Sequence, residues 1–259
     1  MRNKLTDELA VCGLNAVIAL AEYHPEQINR LFLREDMLEM FSELCKNLAE
    51  RKRPYKFCED EELERICKSV HHQGIVAMIH LPLAESLSRE ELHEWADNGS
   101  TGFLLYSVGN DHNLGAIIRA AAFFDVKYII LPEEDAMLST SAYRVAEGGM
   151  EHVAIRTVRN PRAFLREASR KIVSIGADIR ARQKIGSLRK IIDDKKTAGL
   201  GKADNDPGII IVLGNEESGL PPEILEVCSV LVRIPGTGLM ESLNVSQAAS
   251  LFMYKLYEL

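Results

Sequence analysis

No apolar run in the 259-residue chain approaches the roughly 20 residues that span a bilayer. Residues 1–8 turn acidic at once and hold no secretory apolar core, so a cytoplasmic protein is expected. The five cysteines, Cys12, Cys45, Cys58, Cys67 and Cys228, are odd in number and unclustered, which suits a reducing compartment rather than a disulfide framework. Cys67 stands four residues before His71, but no second pair of ligands lies nearby, so no metal is expected. A G-x-G-x-x-G turn followed by a ribose-binding acid is also missing, which argues against a dinucleotide-dependent oxidoreductase. There is no internal repeat and no low-complexity tract.

What is present is a soluble globular composition, 46% hydrophobic and 27% charged, in a length that suits one large or two ordinary domains. The net charge of −7 argues against indiscriminate nucleic-acid binding. Its distribution is uneven, however. Arg156, Arg159, Arg162, Arg166, Arg170, Lys171, Arg180, Arg182, Lys184, Arg189, Lys190, Lys195, Lys196 and Lys202 crowd one region, while acidic residues gather over 59–62 and 85–97. Both a phosphate-facing surface and ordinary solvated helix faces fit that pattern.

The hydrophobic pattern gives two rounds of alternating helices and strands. In the first, a helix is expected from Thr6-Asp7-Glu8 through Val17 and Leu20 toward Tyr23, then a strand over 28–33. A helix capped by Asp36 follows, with Met37, Phe41, Leu44 and Leu48 on one face. An extended piece over 54–57, a helix from Asp60 and a strand opened by Gly74 complete this round. Residues 83–99 are acidic, end in a polar Asn98-Gly99 turn, and read as a linker with a helical turn or two around Leu92 and Trp95. The second round has strands over 103–108, 128–131, 152–155 and 172–175. Between them come helices over 113–124, near Ser141 and from Pro161, which takes the first helical position.

In the last third, Ile209-Ile210-Ile211-Val212-Leu213 runs into Gly214-Asn215-Glu216-Glu217-Ser218-Gly219, and Val230-Leu231-Val232-Arg233-Ile234 into Pro235-Gly236-Thr237-Gly238. Ser242 and Asn244 then precede a closing apolar helix. A β-branched run ending in a glycine turn presents backbone N–H and C=O groups to a small ligand at the carboxyl edge of an α/β sheet. With Asn215, Glu216, Ser242 and Asn244 at those edges, the ligand should be polar and hydrogen-bonded.

Three segments carry a resemblance. Asn110-Asp111-His112-Asn113-Leu114-Gly115-Ala116-Ile117-Ile118-Arg119-Ala120-Ala121 is the first. Leu213-Gly214-Asn215-Glu216 through Gly219-Leu220, and Ile234-Pro235 through Ser242-Leu243-Asn244-Val245-Ser246, are the others. In order and spacing they resemble motifs one, two and three of the SpoU (TrmH-type) RNA ribose 2′-O-methyltransferases, over roughly residues 101–257. Upstream, Gly13-Leu14-Asn15-Ala16-Val17 and His71-His72-Gln73-Gly74-Ile75-Val76-Ala77 are similar to the substrate-binding domain that precedes the catalytic domain in many such enzymes, a relative of ribosomal protein L30e.

The resemblance implies an α/β protein with an L30e-like RNA-binding domain over 1–82, a linker over 83–98, and a methyltransferase domain over 99–259. That second domain would be a SPOUT-type parallel sheet with a C-terminal trefoil knot. An obligate homodimer, S-adenosyl-L-methionine as cofactor, and methyl transfer to a ribose 2′-hydroxyl of structured RNA are implied as well. The front domain favours rRNA over tRNA, and no membrane is involved. The alternative is a non-catalytic RNA-binding or ribosome-assembly protein that keeps the fold, against which the intact motif residues speak.

Carried over by motif, the catalytic candidates are Arg119, Asn113, Glu216, Ser242 and Asn244. A guanidinium grips phosphate bidentately and stabilises a developing alkoxide, whereas its pKa above about 12 makes it a poor base. Glu216 would orient Arg119 or the asparagines. Ser242 and Asn244 would shape the pocket around the methyl group and the ribose, with helix capping as the other reading for both. Leu213, Gly214, Ile234, Gly238 and Leu243 would hold the cofactor. His71, His72, Gln73 and His112 are candidate RNA contacts. Three departures from the family pattern stand out: Glu217 replaces a common glycine, Ala122 to Asp125 replaces a commoner polar-aromatic-glycine ending of the first motif's helix, and Gly236-Thr237-Gly238 loosens the third loop.

Overall fold

The computed structural model describes residues 7–201 and 205–259. In chain order, the first elements are β1 (Glu8–Cys12), α1 (Leu14–Tyr23), β2 (Ile28–Leu33), α2 (Ser42–Glu50), β3 (Tyr55–Phe57), α3 (Asp60–Cys67) and β4 (Ile75–His80). Next come β5 (Glu85–Ser86), α4 (Arg89–Asp97), β6 (Thr101–Leu105), α5 (Asp111–Phe123), β7 (Tyr128–Pro132) and α6 (Thr140–Ala146). The remainder is β8 (Ala154–Val158), α7 (Pro161–Ala168), β9 (Ile172–Ala177), β10 (Gln183–Lys184), α8 (Leu188–Thr197), β11 (Gly208–Leu213), α9 (Pro222–Leu225), β12 (Val230–Arg233) and α10 (Val245–Tyr257). Two compact units result, one of Met1–Leu83 with Leu138–His152, the other of Ala84–Met137 with Val153–Leu259.

The first unit carries a four-stranded mixed sheet in the order β1-β4-β2-β3. Where a helix was expected from Thr6, residues Glu8–Cys12 instead pair antiparallel with β4, Leu9 opposite Ile79 and Val11 opposite Ala77. Thr6 itself lies outside the described residues. Gly13, at a φ of 99°, separates this strand from α1, a backbone state that glycine reaches without strain. The helix expected from Asp36 starts only at Ser42; Glu35–Met37 form a 3-10 turn first, and the Asp36 carboxylate is engaged by the Arg34 side chain at 3.0 and 2.9 Å. Phe41, Leu44 and Leu48 nonetheless face the core as the periodicity requires.

Residues Leu138–His152 complete this unit through polar contacts. Asn15 Nδ2 donates to Glu147 Oε2 at 3.3 Å, and His24 Nε2 lies 3.5 Å from Glu151 Oε2. Burial pushes the Glu151 carboxyl up, and the neighbouring His24 partly offsets that effect.

The second unit is built on an eight-stranded sheet, β10-β12-β9-β11-β6-β7-β8-β5, whose strands all pair in parallel. β11 is central, and every one of its residues is buried. Helices on a parallel sheet bury both faces, which is why β11 reads as an unbroken apolar run. Residues in the expected linker form β5 and α4, and α4 opens on a capping box in which Ser88 Oγ accepts from Glu91 N and Ser88 N donates to Glu91 Oε2.

Trp95 of α4 is fully buried, stacks on Tyr128 at 4.7 Å between ring centroids, and donates Nε1–H to Ser100 O at 2.8 Å. A Cβ at Gly102 would stand 2.4 Å from the Trp95 ring, so the indole fills the space that glycine leaves. Much of the basic region is paired: Arg156 with Glu91, Arg180 with Asp178, and Arg189 with both Asp193 and Asp206. Lys202 lies outside the described residues. No helix among the described residues is long and apolar enough to cross a membrane.

Candidate active site

Parallel strands align their carboxyl ends, and here the register sets Leu213 of β11 beside Leu105 of β6, and Val232 of β12 beside Ala177 of β9. The loops leaving these ends form the site. Asn113 lies in the first turn of α5, whose cap is Asn110, accepting from His112 N at 2.9 Å. Asn113 Nδ2 donates to Glu216 Oε1 on the loop after β11. Asn113 Oδ1 accepts from Asn244 Nδ2 at 3.0 Å. Asn244 in turn caps α10, its Oδ1 accepting from Ser246 N at 2.9 Å and Ser246 Oγ at 2.6 Å. Capping and site membership therefore coexist in one side chain. The chain Asn244–Asn113–Glu216 joins one residue from each of the three motif segments.

Asn215, which the motif reading left without a role, builds the loop itself. Its Oδ1 accepts from Glu217 N at 2.9 Å and Ser218 N at 3.2 Å, while Nδ2 donates to Ser107 O at 3.0 Å on the loop before α5. Gly214 is required by this tight turn, since a Cβ there would lie 2.3 Å from the Gly219 carbonyl carbon.

Two cavities lie beside the loops that carry this cluster, and Glu216 lines one of them. One of about 360 Å³ is lined by Leu213, Gly214 and Glu216 together with Ser242 and Leu243. The other, of about 550 Å³, is lined by Ile234, Gly238, Ser242, Leu243, Ala248 and Phe252. Ser242, Leu243 and the end of β9, Ala177-Asp178-Ile179, border both. The five expected cofactor residues thus converge on one region.

Asp178 was not anticipated. Its Oδ1 accepts from Arg180 N at 2.6 Å and Nε at 3.1 Å, and its Oδ2 from Nη2 at 2.8 Å. The Arg180 guanidinium holds the Asp178 carboxyl below the ordinary aspartate range.

Other expected residues lie elsewhere. Arg119 lines neither cavity. It is exposed on α5, six residues beyond Asn113, hence roughly 9 Å further along the helix and turned about 120° away. His112 is exposed beside the cluster. His72 is buried and its Nδ1 accepts from Gly74 N at 3.1 Å, while Gln73 Oε1 accepts from Leu14 N at 2.7 Å, so both serve the fold. His71 is exposed. Among the described residues no group of three or more His, Cys, Asp or Glu is arranged to hold a metal.

An all-parallel α/β sheet with motif loops gathered at its carboxyl edge defines a class, and the comparisons name it. Residues 101–254 match the SpoU rRNA Methylase family, and residues 10–83 match the RNA 2′-O ribose methyltransferase substrate-binding family. The chain belongs to the SpoU rRNA methylase family. It is 30% identical over 250 residues to the 23S rRNA (guanosine-2′-O-)-methyltransferase RlmB of Acinetobacter baylyi, covering 94% of each chain. To the protein of the same name from Bordetella pertussis it is 28% identical over 250 residues, 95% of each chain. An AdoMet-bound rRNA methyltransferase from Sinorhizobium meliloti shares the fold at a TM-score of 0.75, with 19% identity over 97% of this chain and 87% of that one.

Proposed function

We propose that the chain transfers a methyl group from S-adenosyl-L-methionine to a ribose 2′-hydroxyl of structured RNA, rRNA in preference to tRNA. The observation that carries this reading is the hydrogen-bonded chain Asn244–Asn113–Glu216, whose Glu216 lines the smaller cavity and whose Asn244 directly follows Ser242 and Leu243, which border both. The cavities fit the cofactor: Leu213, Ile234 and Leu243 offer apolar contact and backbone groups for an adenosine, and the tight Gly214 turn brings the main chain close. Bound there, S-adenosylmethionine supplies a methyl carbon on a sulfonium leaving group.

The chain's own groups then align the nucleophile. A fixed attack geometry can lower a barrier by about 7–11 kcal/mol. Glu216 fixes the Asn113 amide, Asn113 and Asn244 set the polar wall beside Ser242, and Arg119, outside the cavities, grips an RNA phosphate and favours the developing alkoxide with its charge, while the hydroxyl proton passes to that phosphate or a neighbouring polar group.

A homodimer belongs to the same proposal. Phe123 on α5 is 80% exposed, as are Tyr257 and Tyr254 on α10 at 69% and 50%. Phe124 packs against both tyrosines, so this apolar face is continuous and suits a second copy. Arg119 precedes Phe123 by one helical turn and shares its side of α5. The trefoil knot, an RNA-binding first unit, a catalytic second unit that takes in residues 84–98, cytoplasmic residence, and RNA contacts at His71 and His112 complete the proposal.

Calorimetric titration of the purified chain with S-adenosylmethionine tests this reading. Saturable one-to-one binding that survives Arg119→Ala, with methylation abolished in that variant, supports it. Absence of binding, or near-normal turnover by Arg119→Ala, contradicts it.

A further inference from the structure

The larger cavity contains one cation whose hydrogen-bonding is incomplete. Arg233 ends β12, where it pairs with Lys184 of β10, and lines the cavity between Val232 and Ile234. Its Nε is shut off from water and has no acceptor among the described residues. The nearest obvious partners are otherwise engaged or absent. Asp178, which lines the same cavity, already accepts three bonds from Arg180. No ion pair joins Arg233 to a described carboxylate, and Glu241, which also borders the cavity, is exposed. A buried N–H left unpaired is costly, and because Arg233 lines the cavity, a turn of its side chain toward the opening would let a ligand acceptor complete it.

The rest of the lining restricts what that acceptor can be. Ile179, Val232, Ile234, Phe252 and Leu243 make the walls largely apolar. Such walls admit a small molecule with one charged end and disfavour a polymer phosphate, which carries its hydration and its chain with it. A guanidinium matches a carboxylate as a two-pronged fork, Nε with one Nη.

Resting on the cofactor reading above, we infer that Arg233 holds the α-carboxylate of the methionyl tail of S-adenosylmethionine, and so sets the tail's position in the larger cavity. Arg233 is a specificity residue for the donor. It takes no part in moving the methyl group or the proton.

The test is a cycle between this side chain and that carboxylate, read by calorimetry rather than turnover. The probes are S-adenosylmethionine and decarboxylated S-adenosylmethionine, which keeps the sulfonium and the amine. The wild-type chain should prefer S-adenosylmethionine by about tenfold or more, the scale of a charge-assisted hydrogen bond. R233Q should bring the ratio close to one, chiefly by weakening S-adenosylmethionine, and R233K, with a point charge in place of a fork, should give an intermediate ratio. The wild-type ratio needs no variant, so it stands even where R233Q fails to fold. A wild-type ratio near one overturns the inference, and so does a preference that R233Q and R233K retain in full. Failure of the wild-type chain to bind either probe would instead overturn the cofactor reading, and this inference with it.

Discussion

Asn113 and Glu216, 103 positions apart in the chain, are joined side chain to side chain, the amide Nδ2 donating to the carboxylate Oε1. The bond decides how the Asn113 amide faces. With Nδ2 committed to a carboxylate, which only accepts, Oδ1 is left to meet Asn244 Nδ2 at 3.0 Å. Glu216→Gln keeps the shape but supplies a group that donates as readily as it accepts, so the Asn113 amide loses its enforced orientation. The expected outcome is a fall in kcat of about 10²-fold, the scale of a small misplacement of reacting groups. Calorimetry should show S-adenosylmethionine affinity nearly unchanged. An equal loss of binding would assign Glu216 to the cofactor instead.

Asn244 serves two ends that substitution can separate. Asn244→Asp keeps an acceptor for Ser246 N, and with it the α10 cap, but has no amide to give Asn113. Thermal melts should place it close to the wild-type chain while methylation is lost. Asn244→Ala removes both roles and should also cost about 1 kcal/mol of stability.

The Asp178–Arg180 pair makes stability depend on acid in a defined direction. A carboxyl whose native pKa lies below its unfolded value contributes fully above the unfolded value, about 3.9, and loses that contribution as pH falls through the lower native one. Asp178→Asn should therefore be less stable than the wild-type chain at pH 7, with the gap narrowing below pH 4 in a series of thermal melts. A gap independent of pH would assign the loss to packing.

Trp95 anchors α4 against the parallel sheet. Trp95→Ala should destabilise the second unit by about 3–5 kcal/mol, read from denaturant unfolding, because Gly102 and Tyr128 are shaped to the indole and leave a void without it.

These residues also mark what the sequence discloses. β11 was legible because a parallel strand buried on both faces reads as an unbroken apolar run ending in a glycine turn, and the partly buried β12 through its Val230-Leu231-Val232 run. The three motifs marked Asn113, Glu216 and Asn244, and the fold brings them into hydrogen-bonded contact. β1 was misread for a related reason: with all five residues buried it lacks the alternation that distinguishes a strand from a helix.

α4 and α8 did carry local signals, the Ser88-x-x-Glu91 capping box and the spacing of Leu188, Ile191 and Ile192 on one buried face. Asp178, Arg233 and Phe252 had none. Their place at the cavities comes from the register of neighbouring strands and the packing of α10, which no short motif encodes. For the same reason no local pattern announces that Leu138–His152 clusters with the first unit.

Nucleoside analysis of RNA gives the decisive result. Purified chain is incubated with unmodified rRNA and methyl-labelled S-adenosylmethionine, and the RNA is digested to nucleosides and separated. Label is expected in a single 2′-O-methylated nucleoside and is absent with Asn113→Ala. Label on a base, or equal labelling by that variant, would contradict the proposed activity.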